Sequence, residues 1–504
     1  MNEHSDLESK PLRLTGRKDI LLVISPPFFT AMPHVGVAYL SEYLDQHGIS
    51  VGVHDLSVKL FNQSDEKMKK FWQIECNNNY FVSEIAESIL KGCEDEINQF
   101  VEDFLFTRTK VIGFSVNITS IFVANEIARK IKERAPEKLI VFGGAGTYFH
   151  HPRDLIQTAF ADIYVLGEGE RALLSIVRDF YDKKPIMNAP GIFLTKDLGQ
   201  GQPVPAAEFA NLDDIPFPTF KGFNLQEYTA GSDFRTLPLL LSRGCVRRCS
   251  YCIDFIIWPK YRFRSPGHIL SEIRYHLSNN NTEVFHLNDL SCNGNLDQLS
   301  KLCDLILETG LQFRWMSYAL VRKDMTSELF LKMKKAGCHT LIFGVESASD
   351  RILKLMHKTY TAQDASRALR LSHESGIYTN MNIIVGFPGE TEEDFQETVK
   401  FLEENKASID EVSNVNGFSV LPDTEIDNHK EKYGVSFDSS REPMLFKDAN
   451  GLDREGRFQR VAKVMEAVEK LGLRKGFISK PALNPDVIAF NKSKKPPLWR
   501  RWTS

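Results

Sequence analysis

Three cysteines, Cys245, Cys249 and Cys252, fall within eight residues of the stretch Leu241-Ser-Arg-Gly-Cys-Val-Arg-Arg-Cys-Ser-Tyr-Cys252. An odd number does not close into disulfides, and three thiols are one short of a tetrahedral zinc set. They suit a cuboidal iron–sulfur cluster, in which three thiolates leave one of four irons open to another ligand. Two plainer readings stand beside this: a zinc site completed by a histidine such as His268, or three unrelated buried thiols. The apolar run Leu237 to Leu241 just before them reads as a short buried strand, which places the thiols on a strand-to-helix connection.

The rest of the chain must position that loop. At 504 residues it is long enough for two or three domains, and its 42% apolar and 25% charged residues are those of a globular protein. A net charge of −4 without a basic stripe argues against a general nucleic-acid binder. The N-terminus lacks the apolar core of a secretory signal, and no run of about 18 apolar residues is present to span a membrane. A cytoplasmic location is expected. Cys76, Cys93, Cys292, Cys303 and Cys338 are scattered singly, as packing thiols in a reducing compartment.

Residues 1–18 read as a polar lead-in and 19–185 as the first domain. Short apolar strands at 20–24, 50–54, 111–116, 139–142 and 163–166 alternate with helices at 35–46, 122–134, about 154–158 and from Gly167-Glu168-Gly169-Glu170 to about 181. Residues 60–108 form a mostly helical insertion. This alternation predicts a Rossmann-like, doubly wound parallel sheet, whose ligands bind at the strand carboxyl ends. Those ends hold Pro26, Pro27, Asp55, Ser115, Thr119, Gly143, Gly144 and Gly167 to Glu170. Without Gly-x-Gly-x-x-Gly after the first strand, a dinucleotide site is not expected. His150-His151 reads as a surface loop pair. Residues 186–235, rich in Pro, Gly and Asp, read as a linker.

Across 236–425, strands at about 236–242, 283–289, 313–318, 340–345, 378–385 and 411–420 alternate with helices at about 267–278, 296–309, 326–336, 362–375 and 391–405. Gly310, Gly337 and Gly376 each stop a helix before a strand. Six repeats make a partial (β/α)6 barrel, whose chemistry gathers at the strand carboxyl ends. There lie the cysteine loop, Asn288-Asp289, Tyr318 and Arg322, Gly344 to Ser347, and Val385 to Glu390. In the C-terminal segment, 426–504, an amphipathic helix at 451–476 turns Phe458, Val461, Val464, Met465 and Val468 to the barrel. Lys492 to Ser504, with Trp499 and Trp502, reads as a basic solvated tail.

Cys-x-x-x-Cys-x-aromatic-Cys, with Tyr251 as the aromatic, resembles the signature of the radical S-adenosylmethionine (SAM) superfamily. The resemblance implies a [4Fe-4S] cluster on Cys245, Cys249 and Cys252 whose open iron is chelated by SAM, and which cleaves SAM to a 5′-deoxyadenosyl radical when reduced. Phe343-Gly-Val-Glu-Ser-Ala resembles the segment whose carboxylate, here Glu346, bonds SAM. Ile384-Val-Gly-Phe-Pro-Gly-Glu-Thr resembles the segment whose backbone, here at Gly386 and Pro388, lies against adenine, with Tyr251 beside it. On the residues alone, the same turn is a helix entry capped by Glu390 or Thr391. Asp289 occupies the position of the amino-group contact, although Leu-Asn-Asp stands where the family has Gly-Gly-Glu.

Residues 20–185 resemble the cobalamin-binding domain that precedes many radical SAM cores, in the order Pro-Pro, strand ending in Asp, Gly-Phe-Ser, Phe-Gly-Gly and Gly-Glu-Gly-Glu. The implied cobalamin contacts are Ser115, Thr119, Gly143, Gly144, Gly167, Glu168 and Gly169. The cobalt-binding Asp-x-His-x-x-Gly motif is absent, since His54-Asp55 has the wrong order and spacing. The implied function is a cobalamin-dependent methyltransferase acting on an unactivated carbon of a small-molecule or lipid substrate, reduced by an external flavodoxin- or ferredoxin-type protein. An oxidative cyclase, a transfer-RNA methylthiotransferase and a non-catalytic iron–sulfur protein are the alternatives. Cys76 and Cys93 alone, with a helical C-terminus, speak against the methylthiotransferase. No side chain is singled out as the catalytic acid, base or hydrogen donor.

Overall fold

β-Branched runs such as Ile20-Leu-Leu-Val-Ile24 are apolar on both faces, so they are stable only where helices cover both sides of a sheet. The computed structural model describes residues 17–73, 82–149, 160–197, 204–228, 235–437 and 444–475. Its first sheet contains β1 (Ile20–Ile24), β2 (Val51–Asp55), β3 (Val111–Ser115), β4 (Leu139–Gly143), β5 (Ile163–Val165) and β6 (Ile192–Leu194), in the order β2-β1-β3-β4-β5-β6. The first five are parallel and β6 runs antiparallel to β5. Separate apolar clusters form on the two faces, one against helices Val82–Gly92, Glu94–Phe106 and Ser120–Arg134, the other against Val35–Gln46 and Gly169–Tyr181.

β6 corrects the sequence reading, which ends this unit at residue 185. Three residues are too few to show a period, and Ile192-Phe193-Leu194 becomes a strand only because β5 offers it a free edge.

The second sheet is built from β7 (Thr236–Leu239), β10 (Val284–Leu287), β11 (Arg314–Ala319), β12 (Cys338–Glu346), β13 (Tyr378–Val385), β14 (Glu411–Gly417) and β17 (Arg474–Lys475). The order is β17-β14-β13-β12-β11-β10-β7, and every neighbouring pair is parallel. Helices return the chain between strands, and Gly310, Gly337 and Gly376 sit at their ends with φ of 65°, 91° and 79°. A short pair, β8 (Ser242–Arg243) with β9 (Arg262–Phe263), folds the cysteine loop back on itself. A second hairpin pairs β15 (Ser436–Phe437) with β16 (Phe446–Lys447).

The helix Arg454–Lys470 packs on this sheet through Val461, Val464, Met465 and Val468. Phe458, expected on the same face, carries Arg454 above its ring instead. No described helix is long and apolar enough to cross a membrane. Residues 1–16 of the lead-in, Cys76, His150-His151, the expected helix near 154–158 and the tail from Lys492 lie outside the described residues.

Candidate cofactor site

The cysteine loop begins at Leu241, two residues past the end of β7, and is held in place before it reaches the first thiol. The Asp289 carboxylate accepts from the Leu241 N–H at 2.9 Å and from the Ser242 hydroxyl. Both oxygens of Asp289 thus secure the loop's own backbone and hydroxyl. Burial pushes the Asp289 carboxyl up to about 7, against the pull of those two donors. Gly244 has φ 87°, and a Cβ there would lie 2.4 Å from the Lys260 carbonyl, so only glycine lets the loop pass the β9 return. Beyond the turn, Ser250 donates its N–H to the Met356 carbonyl and its hydroxyl to the Leu355 carbonyl, at 3.2 and 2.9 Å.

Burial raises the thiols of Cys249 and Cys252, so thiolates here need a compensating cation. His268 does not complete a zinc set. It lies in the contact between the two halves of the chain, with Nδ1 3.1 Å from Asp213 and 3.4 Å from Arg264. Among the described residues no three His, Cys, Asp or Glu side chains are placed to hold a single metal ion. All seven described cysteines are free, and a three-thiol donor set fits an iron–sulfur cluster better than a lone ion.

Beside the loop, Glu346 sits at φ 64° where the β12–β13 register shifts, an uncommon backbone for a non-glycine residue. Lys358, which the sequence reading did not single out, brings its ammonium 3.6 Å from Glu346 Oε1 and 5.6 Å from the centre of the Tyr251 ring. Tyr360 donates to the carbonyls of Gly344 and Val345 at 2.8 and 2.9 Å, which fixes the irregular end of β12. Tyr251 packs edge-on to Phe418, and Phe418 against Phe387 of the Gly386–Glu390 turn. Tyr251, Glu346 and that turn therefore surround one end of the barrel next to the cysteines. The signal for Lys358 was a single lysine between two elements, which says nothing until the chain folds.

A cavity of about 440 Å³ opens at the carboxyl ends of the first sheet and is walled on its far side by the cysteine loop. Leu22, Val141, Val165 and Leu173 make an apolar floor, with Ser115 and Asn117 on the rim. Gly143, Gly144, Gly167, Glu168 and Gly169 also line it, while Ser242, Arg243 and Gly244 face them from the second half. Gly144 has φ 105°, and a Cβ there would come 2.7 Å from the Val116 carbonyl, so the double glycine brings the β3 and β4 loops together. An apolar slot with a polar rim fits a large ring system carrying a flat aromatic tail.

Two expected contacts are otherwise engaged. Thr119 is buried outside the cavity lining. Glu168 lines the cavity, but its carboxylate is taken by Arg243 at 3.0 Å, Arg262 at 2.8 Å and the Phe209 N–H at 2.5 Å.

His34, also unmarked by the sequence, is half-buried at the cavity edge and stacks on Phe28 at 4.4 Å. Its Nδ1 accepts the Val37 N–H at 3.2 Å as the helix N-cap, so the proton of the neutral ring belongs on Nε2, which donates to Ser115 Oγ at 3.0 Å. A metal-binding histidine has the opposite arrangement, donating from one nitrogen to leave the other free. His34 is therefore set up as a donor to Ser115 rather than as an axial ligand.

Residues 239–402 match the family model of the Radical SAM superfamily. An uncharacterized methyltransferase of Pyrococcus horikoshii is 26% identical over 303 residues, 60% of this chain and 65% of its own length. The anaerobic magnesium-protoporphyrin IX monomethyl ester cyclase of Rubrivivax gelatinosus is 26% identical over 315 residues, 61% of this chain and 56% of its own. The matches thus span roughly half to two thirds of those relatives. The radical SAM methyltransferase of Kitasatospora setae, solved with cobalamin and a [4Fe-4S] cluster bound, superposes with a TM-score of 0.65 at 17% identity, covering 87% of this chain and 80% of that one. With the three-cysteine loop at the mouth of a parallel half-barrel and a Rossmann-like sheet facing it, residues 239–402 are a radical SAM domain, and the chain has the fold of a cobalamin-binding radical SAM enzyme.

Proposed function

We propose that this chain is a cobalamin-dependent radical SAM methyltransferase acting on an unactivated carbon of a small-molecule or lipid substrate. The observation that carries this reading is the shared wall: Ser242, Arg243 and Gly244 belong to the cysteine loop and also close the cavity at the strand ends of the first sheet. When bound, the cluster and SAM supply a carbon-centred oxidant and cobalamin a methyl carrier.

The chain's own residues bind and orient. Cys245, Cys249 and Cys252 hold three irons. The Lys358 ammonium and the Glu346 carboxylate take the charged ends of SAM, and Tyr251, Gly386 and Pro388 flank its adenine. Ser115, Gly143, Gly144, Gly167 and Gly169 receive the cobalamin. The chain lacks the Asp-x-His-x-x-Gly motif, and His34 Nε2 faces Ser115 Oγ at 3.0 Å. Free cysteines and the need for an external electron donor fit an enzyme of the reducing cytoplasm served by a flavodoxin- or ferredoxin-type protein.

The test is anaerobic reconstitution with iron, sulfide and hydroxocobalamin, followed by desalting and incubation with SAM and dithionite. Retained cobalamin, formation of 5′-deoxyadenosine and S-adenosylhomocysteine, and loss of 5′-deoxyadenosine in Cys249→Ala are expected; a chain that retains no cobalamin would falsify the proposal. A ring-forming outcome with the same cofactors is the second reading, supported by the similarity to the Rubrivivax cyclase. Product mass separates the two, because methylation adds CH₂ and cyclisation does not.

A further inference from the structure

The turn Gly386-Phe-Pro-Gly-Glu390 after β13 is held in part from within the radical SAM domain, where Arg351 donates to the Gly389 carbonyl at 2.6 Å, and in part from outside it. Gly386 donates its N–H to Glu390 Oε2 at 2.7 Å, and its carbonyl accepts from Arg457 Nε at 3.3 Å. The Gly389 N–H donates to Asp448 Oδ2 at 3.0 Å. Arg460 donates to the Glu390 carbonyl at 3.3 Å and to Glu390 Oε2 at 2.5 Å. Asp448, Arg457 and Arg460 all lie beyond residue 402, where the family match ends.

Arg457 is the most informative of the three. It is 1% exposed, and its other hydrogen bonds go to the Phe446 carbonyl, at 3.0 and 2.9 Å, and the Leu452 carbonyl, at 3.2 Å. Its guanidinium also lies 3.4 Å above the Phe446 ring. A buried cation hydrogen-bonded to carbonyls is costly beside an apolar residue of the same size, so simple packing does not account for an arginine here. The fit to the turn is close on both sides. Gly386 has φ 74°, and a Cβ there would lie 2.4 Å from Arg457 Cγ. Asp448 is itself tied into the segment by accepting the N–H groups of Asn450 and Leu452 at 3.0 and 2.9 Å.

We infer that Asp448, Arg457 and Arg460 are positioning residues of the SAM subsite, which orient the peptide groups of Gly386 and Gly389 so that the turn presents a fixed surface to the nucleoside of SAM. This rests on the reading of that turn as the adenine contact. The C-terminal segment is then part of the SAM site and not only a cover for the barrel.

The experiment compares Arg457→Lys, Arg460→Gln and Asp448→Asn with the exposed same-helix control Lys463→Gln, in full-length chains reconstituted anaerobically. SAM affinity is measured by equilibrium dialysis, the reduced cluster by its electron paramagnetic resonance spectrum with and without SAM, and iron and cobalamin are counted per chain. The three variants are expected to bind SAM about ten-fold more weakly or worse, as for a lost hydrogen bond to a charged group. The SAM-induced change in the cluster spectrum should need correspondingly more SAM, with iron, cobalamin and the control unchanged. Wild-type affinity in the variants overturns the inference, as does a parallel loss of iron and cobalamin, which marks a general packing role. Failure of the wild-type chain to bind SAM overturns the underlying reading of the turn along with it. Should Arg457→Lys not fold, Arg460→Gln and Asp448→Asn decide the question on the same readouts.

Discussion

Position 34 shows what single side chains concealed. A lone histidine carries no signal in the sequence, yet in the fold its Nδ1 caps the helix and its other nitrogen meets Ser115. Burial lowers its pKa to about 4. Between pH 6.5 and about 4 the unfolded chain binds a proton at this site that the folded chain refuses, so stability rises with pH through that window and is lost as the pH falls. In His34→Gln the acid side of the stability profile is therefore expected to flatten, by a difference on the order of 3 kcal/mol at most across the window. Urea unfolding at pH 4.5 and 7 for both chains measures it, and identical slopes would remove His34 from the account. The cysteines were legible because spacing alone marks them. Lys358 and His34 were not, because their meaning lies in partners 12 and 81 residues away.

At the scale of elements, the sequence is most readable where a segment is long and punctuated. The barrel strands and helices fall close to their expected bounds because glycine stops and apolar periods recur together. β6, β8, β9 and β17 are two or three residues long, and their existence is decided by the neighbour they pair with, which no local pattern encodes. The cysteine loop shows how much depends on such short pairs. Gly244→Ala places a methyl against the Lys260 carbonyl and forces a backbone that alanine disfavours, at a cost of roughly 1–3 kcal/mol. The expected result is a lowered melting temperature together with less iron retained per chain after desalting. A normal iron content would show that the β8–β9 return can shift to make room.

Across the whole molecule, the two sheets are joined by charge. Arg243 and Arg262 converge on Glu168, with Glu170 and Glu208 completing the group, and Arg264 reaches from Glu272 to the Tyr39 hydroxyl. Removing Glu168 strips the buried guanidiniums of Arg243 and Arg262 of one partner each and leaves Arg243 with Glu170 and Arg262 with Glu208. Glu168→Ala, which removes a shared carboxylate from two buried guanidiniums, should cost about 3 kcal/mol in denaturant unfolding. Glu208→Ala, whose carboxylate pairs with Arg262 alone, should cost less. Equal effects would mean that the pairing is incidental to the fit of the domains. The residues that answer Glu168 include Arg243, two positions before Cys245, the first of the three loop cysteines. Ser242, Arg243 and Gly244 thus belong both to the cavity wall and to the stretch that leads into the cysteines. A substitution at any of these three positions therefore alters the cavity and the cysteine loop together, so variation in one is inherited by both.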